Sequence, residues 1–156
     1  NKEHWDWAVY PNEREKASFL QENILPIEES GKLEFVEVAG SIDGKLGETA
    51  FTENISIRFV SGHTENMMLP QIKYNNKTIV FMADLLPSAG HIPIPYVVAY
   101  DMFPLTTLHE KKSFLKEAAA GDYILFFEHD PVHECCNLQQ TERGVRAKDF
   151  FKLEEI

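Results

Sequence analysis

Asn75-Asn76 restricts the folding of this chain more than any other pair of residues. Two consecutive asparagines accept positive φ at low cost, which is what a two-residue hairpin turn demands. They are flanked by Met67 to Tyr74 and Lys77 to Met82, two runs with the residue types of strands. The pattern predicts an antiparallel hairpin. Just upstream, Ile55, Ile57 and Phe59 alternate with Ser56, Arg58 and Val60, which predicts a half-buried strand.

Helix signals surround this sheet. Asn12 can cap, Glu15 follows three residues on, and Ala17, Leu20 and Ile24 share a face, which predicts a helix over 12–23 stopped by Pro26. Leu33 to Val38 reads as a short strand and Ser41-Ile42-Asp43-Gly44 as a turn. The stretch from Pro87 to Pro104 is rich in proline and aromatics and fits neither regular element. Thr107-Leu108-His109-Glu110 reads as a capping box opening a helix that buries Leu108, Leu115, Ala118 and Ala119 and ends at Gly121. Tyr123 to Phe127 is an apolar strand, and Asp130 to Phe151 predicts one short helix and an edge strand. The expectation is a mixed α/β chain of one domain.

Charge narrows the partners. A net charge of −10 with no basic stripe argues against a nucleic-acid backbone and against an anionic membrane surface. No apolar run is long enough for a transmembrane helix. Cys135 and Cys136 are adjacent and have no other thiol to pair with, which favours a reducing compartment and a cytoplasmic location. They are read as two small semi-buried residues. The opening Asn1-Lys2-Glu3-His4-Trp5 reads like the interior of a longer sequence, so an upstream part is expected.

Three residues suited to metal binding stand at the ends of three predicted strands. His63 follows Val60, Asp84 follows Met82, and His129 follows Phe127. A sheet is a rigid mount that aims side chains from distant sequence at one point. Two imidazoles and a carboxylate suit zinc, iron, manganese or cobalt more than calcium or magnesium. Each has a plain alternative. His63 can be a turn histidine bonded to backbone, Asp84 can cap the turn before Pro87, and His129 can merely precede the helix start Asp130-Pro131.

Gly62-His63-Thr64, then Phe81-Met82-Ala83-Asp84-Leu85-Leu86, then Phe127-Glu128-His129-Asp130-Pro131 resemble the last three metal-ligand motifs of the metallo-β-lactamase fold superfamily, in the family's order and spacing. Ala89-Gly90-His91-Ile92-Pro93-Ile94-Pro95 through Tyr100-Asp101 further resembles a lactonase-like branch of its hydrolases. The resemblance implies an αββα sandwich. The family's H-x-H-x-D-H signature has no match here, since His4 is the one histidine before His63. Residues 1–156 are therefore expected to be the C-terminal half of one such domain, with the N-terminal half outside this sequence.

The resemblance also implies a two-zinc site, with iron or manganese compatible. His63 would serve one ion, His129 the other, and Asp84 would bridge both. An intact protein of this kind would be a hydrolase using a metal-activated hydroxide against an ester, lactone, thioester or amide, with Asp84 as the catalytic residue that holds the ions. With two protein ligands per ion, where zinc wants about four, this chain alone is expected to bind metal weakly and to be inactive. No serine in a G-x-S-x-G setting and no credible Cys–His pair offers a nucleophile instead.

His91 and Tyr100, on the proline-rich stretch, are candidate substrate contacts, and Tyr96 and Asp101 share it. His4 and His109 are expected at the surface, and Trp5 and Trp7 in the core or at an interface between half-domains. An uncovered sheet face would be sticky. The expected cover is the absent N-terminal half or a second copy, with a homo-oligomer in prospect. A flavodiiron-like redox half-site, or a degenerate interaction module of the same fold, remains the other reading.

Overall fold

The computed structural model describes all 156 residues. Its helices are α1 Lys2–Val9, α2 Gln21–Glu29 and α3 Pro104–Ala120. Its strands are β1 Glu48–Ala50, β2 Ile55–Val60, β3 Met67–Tyr74, β4 Lys77–Phe81, β5 Ile124–Phe126, β6 Cys135–Thr141 and β7 Gly144–Phe151. They form one sheet in the order β1-β2-β3-β4-β5-β6-β7. Every pairing is antiparallel except β4 with β5. A parallel pair needs a long crossover, and α3 lies within it.

The central hairpin forms as its turn predicts. Asn75 and Asn76 have φ of 47° and 58°, and Tyr74 pairs with Lys77. Alternation then sends Leu69, Val80, Leu125, Cys136 and Leu138 to one face, where they pack with Phe114, Leu115 and Ala118 of α3 in the main core. Burial of this apolar face against the helix is the chief stabilising contact of the fold. Arg58 is enclosed beneath α3. Its guanidinium donates to both oxygens of Glu117 (3.1 and 2.6 Å) and to Gln71 (2.8 Å), with Tyr123 6.0 Å away.

The opposite face has no helix over its centre. Ile79, Ile124 and Cys135 form a small cluster there with Phe126, Phe151 and Ile156. Ile72, Tyr74, Ile79, Phe81, Phe126 and Ile156 line an apolar depression of about 440 Å³.

Five local expectations are corrected. No helix spans 12–23. Asn12 does accept from the amides of Arg14 and Glu15, but the Glu15 carboxylate is taken by the Trp7 indole at 2.7 Å, and a turn results. The helix begins later, at Gln21, and contains Pro26 rather than stopping before it. Residues 33–38 form no strand, because no neighbour pairs with them. The capping box does not form, since α3 starts at Pro104, a residue favoured in a first turn, and Glu110 bonds elsewhere. Residues 130–151 contain no α-helix but the β6–β7 hairpin.

Candidate metal centre

His63 sits on a tightly held segment. After β2, the Glu110 carboxylate of α3 accepts from the amides of Ser61 (2.6 Å) and Gly62 (3.0 Å). The amides of Met102 and Phe103 donate to the carbonyls of His63 (3.1 Å) and Gly62 (2.8 Å). Gly62 is required by this crowding. A Cβ there would fall on Oγ1 and the amide nitrogen of Thr107, and 2.6 Å from its Cα. The ring of His63 is fixed in turn, with Nδ1 2.9 Å from Oδ1 of Asp101.

Asp84 leaves the end of β4. The amide of Met82 donates to Phe126, extending the parallel pairing, and the chain then turns through Ala83 at φ 41°. Left-handed backbone is costly for an alanine, so it is over-determined by its neighbours. Met82, Leu85 and Leu86 are all buried around it, leaving the carboxylate of Asp84 to project at the sheet edge.

His129 follows β5. Its amide donates to Pro87 at 3.0 Å. Asp130 then ties this turn to the proline-rich stretch, accepting from Val132, His133 and Ala89. Burial works to raise its pKa, but those three amide bonds outweigh it and leave the carboxyl below its usual range.

The three side chains converge. Nε2 of His63 lies 3.4 Å from Oδ2 of Asp84, and Nε2 of His129 lies 3.5 Å from Oδ1. These separations are long for hydrogen bonds. They match two ligands of one tetrahedral ion, since bonds of about 2.0–2.1 Å place neighbouring donors roughly 3.3 Å apart. Each carboxylate oxygen thus faces its own imidazole, a geometry for two ion positions that share Asp84. Neither position is complete, because no three His, Cys, Asp or Glu side chains gather around one point. The donor types fit zinc or a similar borderline ion; the donor number falls short.

The surroundings favour positive charge. Burial lowers the pKa of His63, yet the bond to Asp101 and the charges of Asp84, Asp101 and Glu15 outweigh it and raise the ring above its usual value. What attracts a proton here also attracts a cation.

Tyr100 borders the site. With His63, Thr64, Arg14 and Glu15 it lines a cavity of about 60 Å³, and its ring is largely exposed. No hydrogen bond joins His91 to the three ligands. Its Nδ1 is 2.9 Å from the Ser88 hydroxyl, and burial, then Lys111, lowers its pKa against the opposing charges of Asp101 and Asp84. His109 is exposed. His4 is half-buried rather than freely exposed: its Nδ1 is 2.7 Å from the Glu65 carbonyl, and its ring packs edge-on to Phe19. Trp5 meets Phe35, and Trp7 meets Phe103. Both cysteines are fully buried, which, with Glu134 beside Cys135, pushes that thiol up to about 11; burial and then Cys135 push Cys136 up to about 12.

Three residues that brace these side chains carry no local signal of that role. Asp101 lies in an irregular stretch, and Glu110 mimics a capping residue. Lys111 looks like any helix-surface lysine, yet it is wholly buried and donates to the carbonyls of Pro93, Ile94 and Tyr96.

No protein-family model matches the sequence, and no curated protein does. Solved structures do. A probable metal-dependent hydrolase from Staphylococcus aureus matches with a TM-score of 0.80 at 20% identity, over 100% of this chain and 52% of that one. The hydrolase AbOPH, of the beta lactamase superfamily, matches with a TM-score of 0.67 at 15% identity, over 94% and 53%. The chain has the metallo-β-lactamase fold. AidC, a dizinc quorum-quenching lactonase, shares it with a TM-score of 0.60 at 19% identity, over 95% and 53%. The chain spans about half the length of the solved structures it matches.

Proposed function

We propose that this chain supplies part of the metal centre of a small-molecule hydrolase acting on an ester, lactone, thioester or amide. The observation that carries the reading is the Asp84 carboxylate, set between the Nε2 atoms of His63 and His129 at 3.4 and 3.5 Å. The hydrolase structures of the same fold support it. Divalent ions bound there would lower the pKa of a water molecule and polarise the substrate oxygen that gains charge. The chain's own part is positional. Asp84 sets the spacing between the two positions, His63 and His129 cap its two oxygens, and His91 and Tyr100 face the substrate.

Two donors per position hold a cation weakly, so the chain by itself is inactive on this reading. The complementary donors, and the cover for the partly open sheet face, would come from a second half of the same fold. The length of the matched structures supports this, since about half of each has no counterpart here. An apolar depression lined by Ile72, Phe81 and Phe126 fits an apolar sheet face better than a polar partner.

Cobalt(II) titration followed by visible absorbance tests the metal centre. Weak binding that Asp84→Asn abolishes and His63→Ala or His129→Ala each diminishes is expected. Undiminished binding by the Asp84 variant would overturn the proposal. Hydrolysis of a lactone and thioester panel, with zinc, should require co-expression with a segment carrying H-x-H-x-D-H. Sedimentation should show the chain alone self-associating and the co-expressed pair as a discrete complex; a stable monomer of the bare chain counts against the proposed cover.

A further inference from the structure

Resting on that reading of the metal centre, a further role falls to a residue behind it. His63 has two ring nitrogens with different surroundings. Nε2 looks towards Asp84, while Nδ1 lies 2.9 Å from Oδ1 of Asp101, whose side chain has no exposed surface. In a neutral imidazole one nitrogen carries the proton and the other a lone pair. A carboxylate can only accept. If Nδ1 held its lone pair, two acceptors would face each other in a dry interior. With the proton on Nδ1, the lone pair moves to Nε2, on the side of Asp84.

Asp101 is an expensive way to fasten a loop. Its second oxygen, Oδ2, is buried without a partner. A buried carboxylate with one free oxygen carries a desolvation cost that a neutral side chain would avoid. The loop is, moreover, fastened by other means. Lys111 holds the carbonyls of Pro93, Ile94 and Tyr96. The amides of Met102 and Phe103 hold His63 and Gly62. What these bonds do not supply is an acceptor for the ring.

We propose that Asp101 is a positioning residue: it holds His63 in the Nδ1–H tautomer and turns the Nε2 lone pair towards Asp84, ready for a divalent cation. Carboxylates behind metal-binding histidines act in this way in other sites, where losing one weakens metal binding about 10–100-fold.

The test uses the full chain labelled with ¹⁵N-histidine, without metal, at alkaline pH. Ring nitrogen shifts should place the proton of His63 on Nδ1. Asp101→Asn can offer the ring either an oxygen or an amide N–H, so His63 should then populate both tautomers. Cobalt(II) affinity should fall about tenfold or more. A variant whose ring stays wholly Nδ1–H, with unchanged cobalt affinity, would leave Asp101 a merely structural residue and overturn the proposal. A wild-type ring protonated on Nε2 overturns it too, and needs no variant to fold. A tautomer shift in a chain that takes up no cobalt supports the role of Asp101 and refutes the metal reading instead.

Discussion

Gly62 and Thr107 meet backbone against backbone, the Thr107 amide and Cα occupying the space a side chain on Gly62 would need. Their contact joins the segment that carries His63 to the first turns of α3. Gly62→Ala must push that segment or the helix aside, and backbone yields less readily than a flexible side chain. A loss of about 3 kcal/mol is expected, the upper part of the usual range for overpacking. Urea unfolding measures it, and the His63 ring resonances should move in the same variant.

Glu117 neutralises a guanidinium that has almost no contact with water. Glu117→Gln leaves Arg58 with weaker acceptors, although Glu48 remains 3.2 Å away. Removing a buried partner of this kind costs about 3 kcal/mol. The pH dependence has a definite sign. Burial raises the pKa of Glu117, but the Arg58 bond and charge outweigh it and leave the carboxyl lowered. Its contribution is therefore full above about pH 4.3, the unfolded value, and disappears as pH falls through the folded one. The stability difference between wild type and Glu117→Gln should be constant near neutrality and shrink in acid. A difference that grows in acid would contradict this assignment.

Lys111 gives a slope of the same sign at the alkaline end, by a different cause. Burial, opposed by the charge of Asp101, pushes its pKa down to about 8. From about pH 8 to the unfolded value of about 10.4, the unfolded chain holds a proton that the folded one has lost, so folding gains stability as pH rises. Lys111→Met should remove this rise. It also strands three carbonyls, at about 1–3 kcal/mol for each left unsatisfied, so the loop at Pro93 to Tyr96 should become more open to proteolysis.

Ala83 stands in left-handed backbone beside Asp84. A β-branched side chain tolerates that region poorly. Ala83→Val should cost about 1–3 kcal/mol by urea unfolding. A neutral Ala83→Val would show that the turn relaxes freely and does not fix Asp84.

The elements legible in the sequence were those whose signals are local. Strand β2 follows from alternation, strands β3 and β4 and the turn between them from the runs that flank Asn75-Asn76, and the end of α3 from Gly121. Residues 12–23 misled because Trp7, just upstream of the motif, and the side-chain amide of Asn12 claim the carboxylate that a helix start would use. Residues 33–38 are rich in strand-forming types but find no partner, and pairing is not visible in a strand's own residues. The β6–β7 hairpin is masked by Asn137, Gln139 and Gln140, which lack strand character.

Strand exits single out His63, Asp84 and His129 in the sequence, and the three side chains do lie together. The groups that brace them were hidden. Asp101 stands out only as the end of the lactonase-like tract and Glu110 only as a capping residue, and Lys111 not at all, because all three act through contacts with distant segments.

The strand order has one more consequence. Six neighbours in space are also neighbours along the chain, so most of the sheet closes short loops and can assemble rapidly. The junction of β4 with β5 is the exception, because the whole proline-rich stretch and α3 intervene. Closing that gap should govern the folding rate, and substitutions in α3 should slow refolding more than substitutions in the Asn75-Asn76 turn. During synthesis, the first four strands would leave the ribosome and wait, with their edge unpaired, for the rest to arrive.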